Sequence, residues 1–269
     1  MNDDIAAITA ANRAAWDASA PLHQTGPYWE DLKTGFATPG YSRFDATITE
    51  ALTAAGVNGA RVVQIGCNNG RELLSTFALG AAFGLGIDQS RAFLDQAQIL
   101  QGISGHNAQF LCADIYDLPA DTATDFDLAF ITIGVLNWMP DLARFFSVVA
   151  RVLRPGGQLV IYETHPFLEM FDPASDAPFT PAYSYFRTRP FVESMTITYD
   201  GTDAPGAPDS HWFIHPLGQI VTAAITAGLT LSQLTEYPQS IREVAYDKYQ
   251  DQPAQLPLSY LLRAAKPYA

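Results

Sequence analysis

The sequence predicts an α/β protein built on a doubly wound, mostly parallel sheet. Between Val62 and Thr164, short apolar, β-branched segments alternate with amphipathic helical stretches, giving five strands in turn. The first segment runs into a turn bracketed by Gly66 and Gly70, and the next two each end in an acid, Asp88 and Asp114. Repeated strand–helix–strand units with right-handed crossovers make a parallel sheet and gather such polar ends along one edge, where ligands bind.

Each element has its own justification. Residues 1–24 place Ile5, Ile8, Ala11 and Ala15 at helical spacing. Pro21, Gly26, Pro27, Gly35, Pro39 and Gly40 then predict an irregular segment that packs through Tyr28, Trp29 and Phe36. Phe44 to Ala55 reads as helix, so residues 1–56 form a helical arm, either a lid over the cleft or padding on the sheet. Val62, Val63 and Ile65 suit a strand buried on both faces. Arg71 to Ala78 is the next helix, with Leu73, Leu74 and Phe77 inward. Ala82–Asp88 and Ala108–Asp114 are strands flanking a helix from about Ser90 to Leu100. Phe126–Ile133 is the fourth strand. Pro140 and Asp141 open a helix that stops before Pro155-Gly156-Gly157, and Gln158–Thr164 is the fifth strand.

The alternation then breaks. Residues 165–211, rich in proline and aromatics, read as an insertion over the strand ends, with strands expected at Tyr183–Arg187 and Ser194–Tyr199. Residues 212–269 close the domain with a helix from His215 to Ala227, stopped by Gly228, and two strands, Leu229–Glu236 and Leu258–Ala265. Residues 57–164 are the ligand-binding core of one domain.

Composition narrows the function. The 269 residues are 48% apolar, enough for one large core. Twenty-eight acids against 15 bases give a net charge of −13, and Lys33, Lys248 and Lys266 are the only lysines, which argues against nucleic acid as partner. No apolar run reaches spanning length, and the acidic start Met1-Asn2-Asp3-Asp4 is unlike a signal peptide, so no membrane partner is expected. Cys67 and Cys112 are expected as reduced thiols in a cytoplasmic protein. A homodimer is compatible with the sequence.

Asp88 lies 22 residues beyond Gly66, where a carboxylate accepts the hydroxyls of a ribose. Together with Val62-Val63-Gln64-Ile65-Gly66-Cys67-Asn68-Asn69-Gly70-Arg71-Glu72, the segments 86–90, 113–119, 134–142 and 153–157 resemble class I S-adenosylmethionine-dependent methyltransferases, and the tail, 212–218 followed by 227–229, resembles the subset of them that acts on small molecules. The resemblance implies the seven-stranded Rossmann-like methyltransferase fold and S-adenosylmethionine as cofactor. It implies cofactor contacts from Gln64, Gly66, Cys67, Asn68, Gly70, Asp88, Gln89, Asp114, Ile115, Ile133 and Gly134. Such families usually carry an acid where Gln64 stands; glutamine still hydrogen-bonds but adds no charge for the cofactor's ammonium.

Methyl transfer from a sulfonium is an in-line displacement that needs a base only when the acceptor arrives protonated. His165, directly after the fifth strand, and His211 are the candidate bases. Tyr28, Trp138, Tyr185 and Trp212 are candidates for the acceptor pocket, with an O or N atom of a small molecule as the acceptor. No metal is expected: His211 and His215 are four apart, but Pro216 disfavours the helix that would align them. A nicotinamide dehydrogenase would need Gly-x-Gly-x-x-Gly, which is missing. A non-catalytic cofactor-binding or scaffold protein of the same fold is the alternative.

Overall fold

The first strand of the sheet, β1 (Arg61–Ile65), is flanked by β2 (Phe83–Asp88) and β4 (Phe126–Thr132) in a computed structural model that describes residues 2–199 and 204–268. With β3 (Ala108–Cys112), β5 (Leu153–Thr164), β8 (Thr230–Tyr237) and β9 (Ser259–Ala265), they form a seven-stranded sheet in the order β3-β2-β1-β4-β5-β9-β8. Strands β1 to β5 pair in parallel, and β9 runs antiparallel to both β5 and β8. The order reverses between β1 and β4, so a crevice opens at their carboxyl ends.

Side-chain alternation explains why these strands are apolar throughout. Val63 and Ile65 of β1 enter the core beneath α6 (Leu142–Val152) and α7 (Leu217–Thr226). Val62 enters the opposite core, beneath α3 (Ala46–Ala54) and Leu73 of α4 (Arg71–Ser75). Both faces are covered, so neither needs polar residues. The caps are local: Asp45 accepts from the Ile48 N–H at 3.0 Å, Ser90 caps α5 (Arg91–Ser104) through Phe93 N–H, and Asp141 caps α6 through Arg144 N–H.

The structure departs from the sequence reading in several places. Residues 27–36, expected to be irregular, form the helix α2 (Pro27–Phe36). Pro27 sits at its first turn, where no N–H is needed, and Trp29, Leu32 and Phe36 bury one face against Leu74 and Leu100. β5 starts at Leu153, five residues before the expected Gln158, with a register irregularity opposite Phe126 and Leu128. α7 begins at Leu217 rather than His215.

In the insertion, the strands are β6 (Phe191–Met195) and β7 (Pro205–Trp212), an antiparallel pair of their own. Tyr183–Arg187 is instead a turn closed by the Arg187 N–H on Ser184 O, its Tyr183 ring set edge-on to Phe191. Pro205 and Pro208 are tolerated in β7 because a two-stranded ribbon leaves its outer edge unpaired.

The arm is fastened to that ribbon. Asn12 of α1 (Asn2–Ser19) brackets the backbone of His211, donating to its carbonyl at 2.9 Å and accepting from its N–H at 2.6 Å. Ser19 Oγ accepts from Ile197 N–H at 2.9 Å, and His23 bonds Ile197 O at 2.8 Å. Asp17 accepts from Ser90 Oγ at 2.6 Å, which ties the arm to the start of α5. Among the described residues no helix is long and apolar enough to cross a membrane.

Candidate functional site

A cavity of about 900 Å³ opens at the carboxyl ends of β1, β2 and β4. Its floor is the turn after β1. Gly66 there has φ +69, and a Cβ on it would come within 2.7 Å of Val135 Cγ2. Only glycine fits, and its absence of side chain lets the cavity reach the backbone. Gln64, Ile65, Gly66 and Asn68 line this side.

Asp88 ends β2 beside them. Its Oδ2 accepts from Asn68 N–H at 2.8 Å and its Oδ1 from Ser90 N–H at 2.9 Å, so the carboxylate also holds the turn in shape. Burial pushes this carboxyl above the usual range even though backbone donors pull it down. Each carboxylate oxygen has a second lone pair for a ligand hydroxyl. Asp114, after β3, accepts from Tyr116 N–H at 2.9 Å and leads into Ile115; both line the cavity with Gln89.

The third side is the loop after β4. Ile133 and Gly134 line the cavity, and Ile133 keeps 44% of its surface exposed there. Glu163 of β5, fully enclosed, accepts from the N–H groups of Gly134 and Leu136 and fixes the loop from behind. Burial drives its carboxyl up to about 7, against the pull of these donors. Asn137 of the same loop donates to Glu169 at 3.0 Å, and Glu169 is ion-paired with Arg242. Glu169 and Arg242 both line the cavity. Single charges in aromatic, loop-rich segments gave no sequence signal for this pair.

Not every expected residue reaches the cavity. Cys67 and Gly70 lie behind the turn: a Cβ on Gly86 would meet Cys67 Sγ, and one on Gly70 would meet Phe110. His165 is turned away: its Nε2 donates to Glu236 Oε1 at 2.8 Å, and its Nδ1 accepts from Phe167 N–H at 3.1 Å. Both ring nitrogens are consumed by the protein, and burial lowers the ring's pKa despite Glu236. His211 is also excluded, because alternation along β7 gives Ser210 and Trp212 to the cavity and His211 to the other face. Tyr185 spends its hydroxyl on Leu217 N–H at 2.8 Å, away from the cavity. The expectation of His165 and His211 as bases and of Tyr185 as an acceptor contact is therefore corrected by geometry.

Tyr28, Trp138 and Trp212 do line the cavity. Trp138 meets Trp16 edge-on at 5.3 Å, and Trp212 stacks on Phe191 at 3.9 Å. The arm contributes Thr9, Trp16, Leu22 and His23 to the wall, so it is part of the cavity rather than padding. Among the described residues no three His, Cys, Asp or Glu side chains converge as a metal site would require.

Sheet order and crevice define a doubly wound α/β protein with its cavity at the point where the strand order reverses. Residues 63–161 match the model of a methyltransferase-domain family. The chain is 29% identical over 168 residues to the ubiquinone biosynthesis O-methyltransferase of Aromatoleum aromaticum, covering 59% of this chain and 62% of that one. It is 35% identical over 106 residues to the tRNA U34 carboxymethyltransferase of Pseudoalteromonas translucida, covering 39% and 32%. The chain spans less than two thirds of the length of the curated relatives it matches. A solved structure with the same fold is the 1,6-didemethyltoxoflavin N1-methyltransferase of Burkholderia thailandensis, with bound S-adenosylhomocysteine. It has a TM-score of 0.57 at 15% identity and covers 98% of this chain and 90% of its own. Over residues 63–161 the chain is thus similar to methyltransferase domains, and its fold is the one solved for S-adenosylmethionine-dependent methyltransferases.

Proposed function

We propose that this protein moves the methyl group of S-adenosylmethionine to an oxygen or nitrogen of a small molecule by in-line displacement. The observation that carries the reading is that Asp88, Asp114 and the Gly66 turn border one cavity. The residues fit the cofactor. Asp88 has acceptor capacity for the ribose hydroxyls, and Asp114 with Ile115, which line the same cavity, would meet the adenine. Gln64 Oε1 is buried without a protein partner and suits a ligand donor. The bound cofactor supplies a methyl group on sulfur that is already activated for displacement.

What the chain adds is position and dryness. Glu163 holds Gly134 to Leu136 in one arrangement, so the wall beside the reacting centre does not move. The arm and the β6–β7 ribbon, hydrogen-bonded to each other, both line the cavity over the strand ends, where they would limit water around a bound cofactor. Arg242, which lines the cavity, is ion-paired with the enclosed Glu169. That arrangement, with the net charge of −13, favours an uncharged small acceptor over a phosphate-bearing one.

The test is calorimetry with S-adenosylhomocysteine on the purified chain. Wild type is expected to bind, and Asp88→Ala to weaken binding by about tenfold or more, the cost of losing hydrogen bonds to a charged group. Absence of heat and of any thermal shift with wild type rejects the reading. Transfer of labelled methyl to a panel of phenols and amines, with tRNA in parallel, separates the small-molecule acceptor from nucleic acid; no transfer to either favours the non-catalytic alternative.

A further inference from the structure

We infer that the adjacent pair Arg71–Glu72 recognises the charged amino-acid end of the cofactor, carrying the role that the neutral Gln64 does not. The inference rests on the S-adenosylmethionine reading above. The methionine portion of that cofactor ends in an ammonium and a carboxylate, so a site for it gains most from one cation and one anion held side by side.

The turn that receives this end holds no such charge itself. Gln64 is enclosed and neutral, with its amide N–H₂ donating to Thr132 Oγ1 at 3.0 Å. Asn68 and Asn69 are neutral as well. The first charges beyond the turn are Arg71 and Glu72, at the start of α4, and both line the cavity. Arg71 Nε donates to Glu72 Oε1 at 2.7 Å, and the two side chains are only 16% and 15% exposed.

Arg71 is held from three sides. Its Nη1 reaches Asn69 Oδ1 at 3.4 Å, and its guanidinium lies 5.2 Å from the ring centre of Tyr199, in the segment that follows β6. Tyr28 of α2 lies close enough to act on its charge. Glu72 favours the charged guanidinium against the cost of burial. These contacts do not exhaust the donors of the guanidinium fork, and Glu72 keeps acceptor lone pairs. A carboxylate on Arg71 and an ammonium on Glu72 would complete a ring of four alternating charges at the cavity wall. Because Tyr199 comes from the insertion, the same pair joins the cofactor end to that covering segment.

The experiment uses two probes on the full chain: S-adenosylhomocysteine, which has the amino-acid end, and 5′-methylthioadenosine, which lacks it. Isothermal titration of wild type is expected to show tighter binding of the first. Arg71→Ala and Glu72→Gln should each weaken S-adenosylhomocysteine by about 10- to 100-fold. They should leave 5′-methylthioadenosine unchanged, which also verifies that each variant is folded. Adding Gln64→Glu to Glu72→Gln should restore much of the loss by returning one negative charge to the ammonium.

Equal weakening of both probes would make the pair merely structural and overturn the inference. So would unchanged binding of both. Wild type that binds neither probe would reject the cofactor reading itself, an outcome distinct from intact binding that ignores Arg71 and Glu72.

Discussion

Replacing Glu163 with glutamine should flatten the pH dependence of this protein's stability. Glu163 is 1% exposed and accepts from backbone N–H groups of the Gly134–Leu136 loop. Burial raises its carboxyl from 4.5 to about 7, and the nearby Glu169 adds to the rise. A folded-state value above the unfolded one means that the native protein holds the proton more firmly. The group's favourable contribution is then fully present below pH 4.5 and is lost as pH climbs through 7. At about 1.36 kcal/mol per pH unit, that gap is worth about 3 kcal/mol.

Glutamine is uncharged at every pH, keeps one acceptor oxygen and has nearly the same shape. Urea unfolding of wild type and Glu163→Gln at several pH values between 5 and 8 measures the difference. Expected are a pH-independent cost of about 1–3 kcal/mol, for the one loop N–H that loses its acceptor oxygen, and a difference between variant and wild type that moves in the variant's favour by up to about 3 kcal/mol from pH 5 to pH 8, with unchanged m-values. Curves that stay parallel across this range would refute the buried-carboxyl argument.

Two further perturbations probe the geometry. Gly66→Ala forces a side chain into a left-handed conformation and against Val135, so it should cost about 1–3 kcal/mol and abolish S-adenosylhomocysteine binding, read by thermal shift and calorimetry. His165→Ala leaves Phe167 N–H without its acceptor and should cost about 1–3 kcal/mol, while S-adenosylhomocysteine affinity stays at the wild-type value. Loss of that affinity in a folded His165→Ala protein would return the histidine to the site.

The cofactor half of the site was legible because its signals are local. A β-branched run, a glycine turn and an acid at a strand's end are consecutive in the chain, and the strand carries each to its place. Helix α2 was hidden by Gly26 before it and by its own Pro27 and Gly35, although Pro27 favours a helix start and Trp29, Leu32 and Phe36 have the spacing of one face. The insertion was harder still. Its aromatic residues suit strands and turns equally, and pairing of Phe191 with Trp212 depends on a contact across twenty residues.

The histidines show the other limit. Chain position put His165 at a strand end facing the crevice, but the side chain's direction is set by parity along the strand and by which neighbour can satisfy its two nitrogens. Glu236, on the last-but-one strand of the chain, satisfies one of them.

By itself, then, the sequence determined the alternating α/β frame, the glycine-hinged turn and the two acids, because hydrophobic period and backbone freedom act over a few residues. Tertiary structure alone decided that the arm is a cavity wall, that Glu163 braces the loop and that Glu169 meets Arg242. Those outcomes rest on contacts between distant segments, where enclosure sets the cost of each charge and supplies the partner that makes it tolerable.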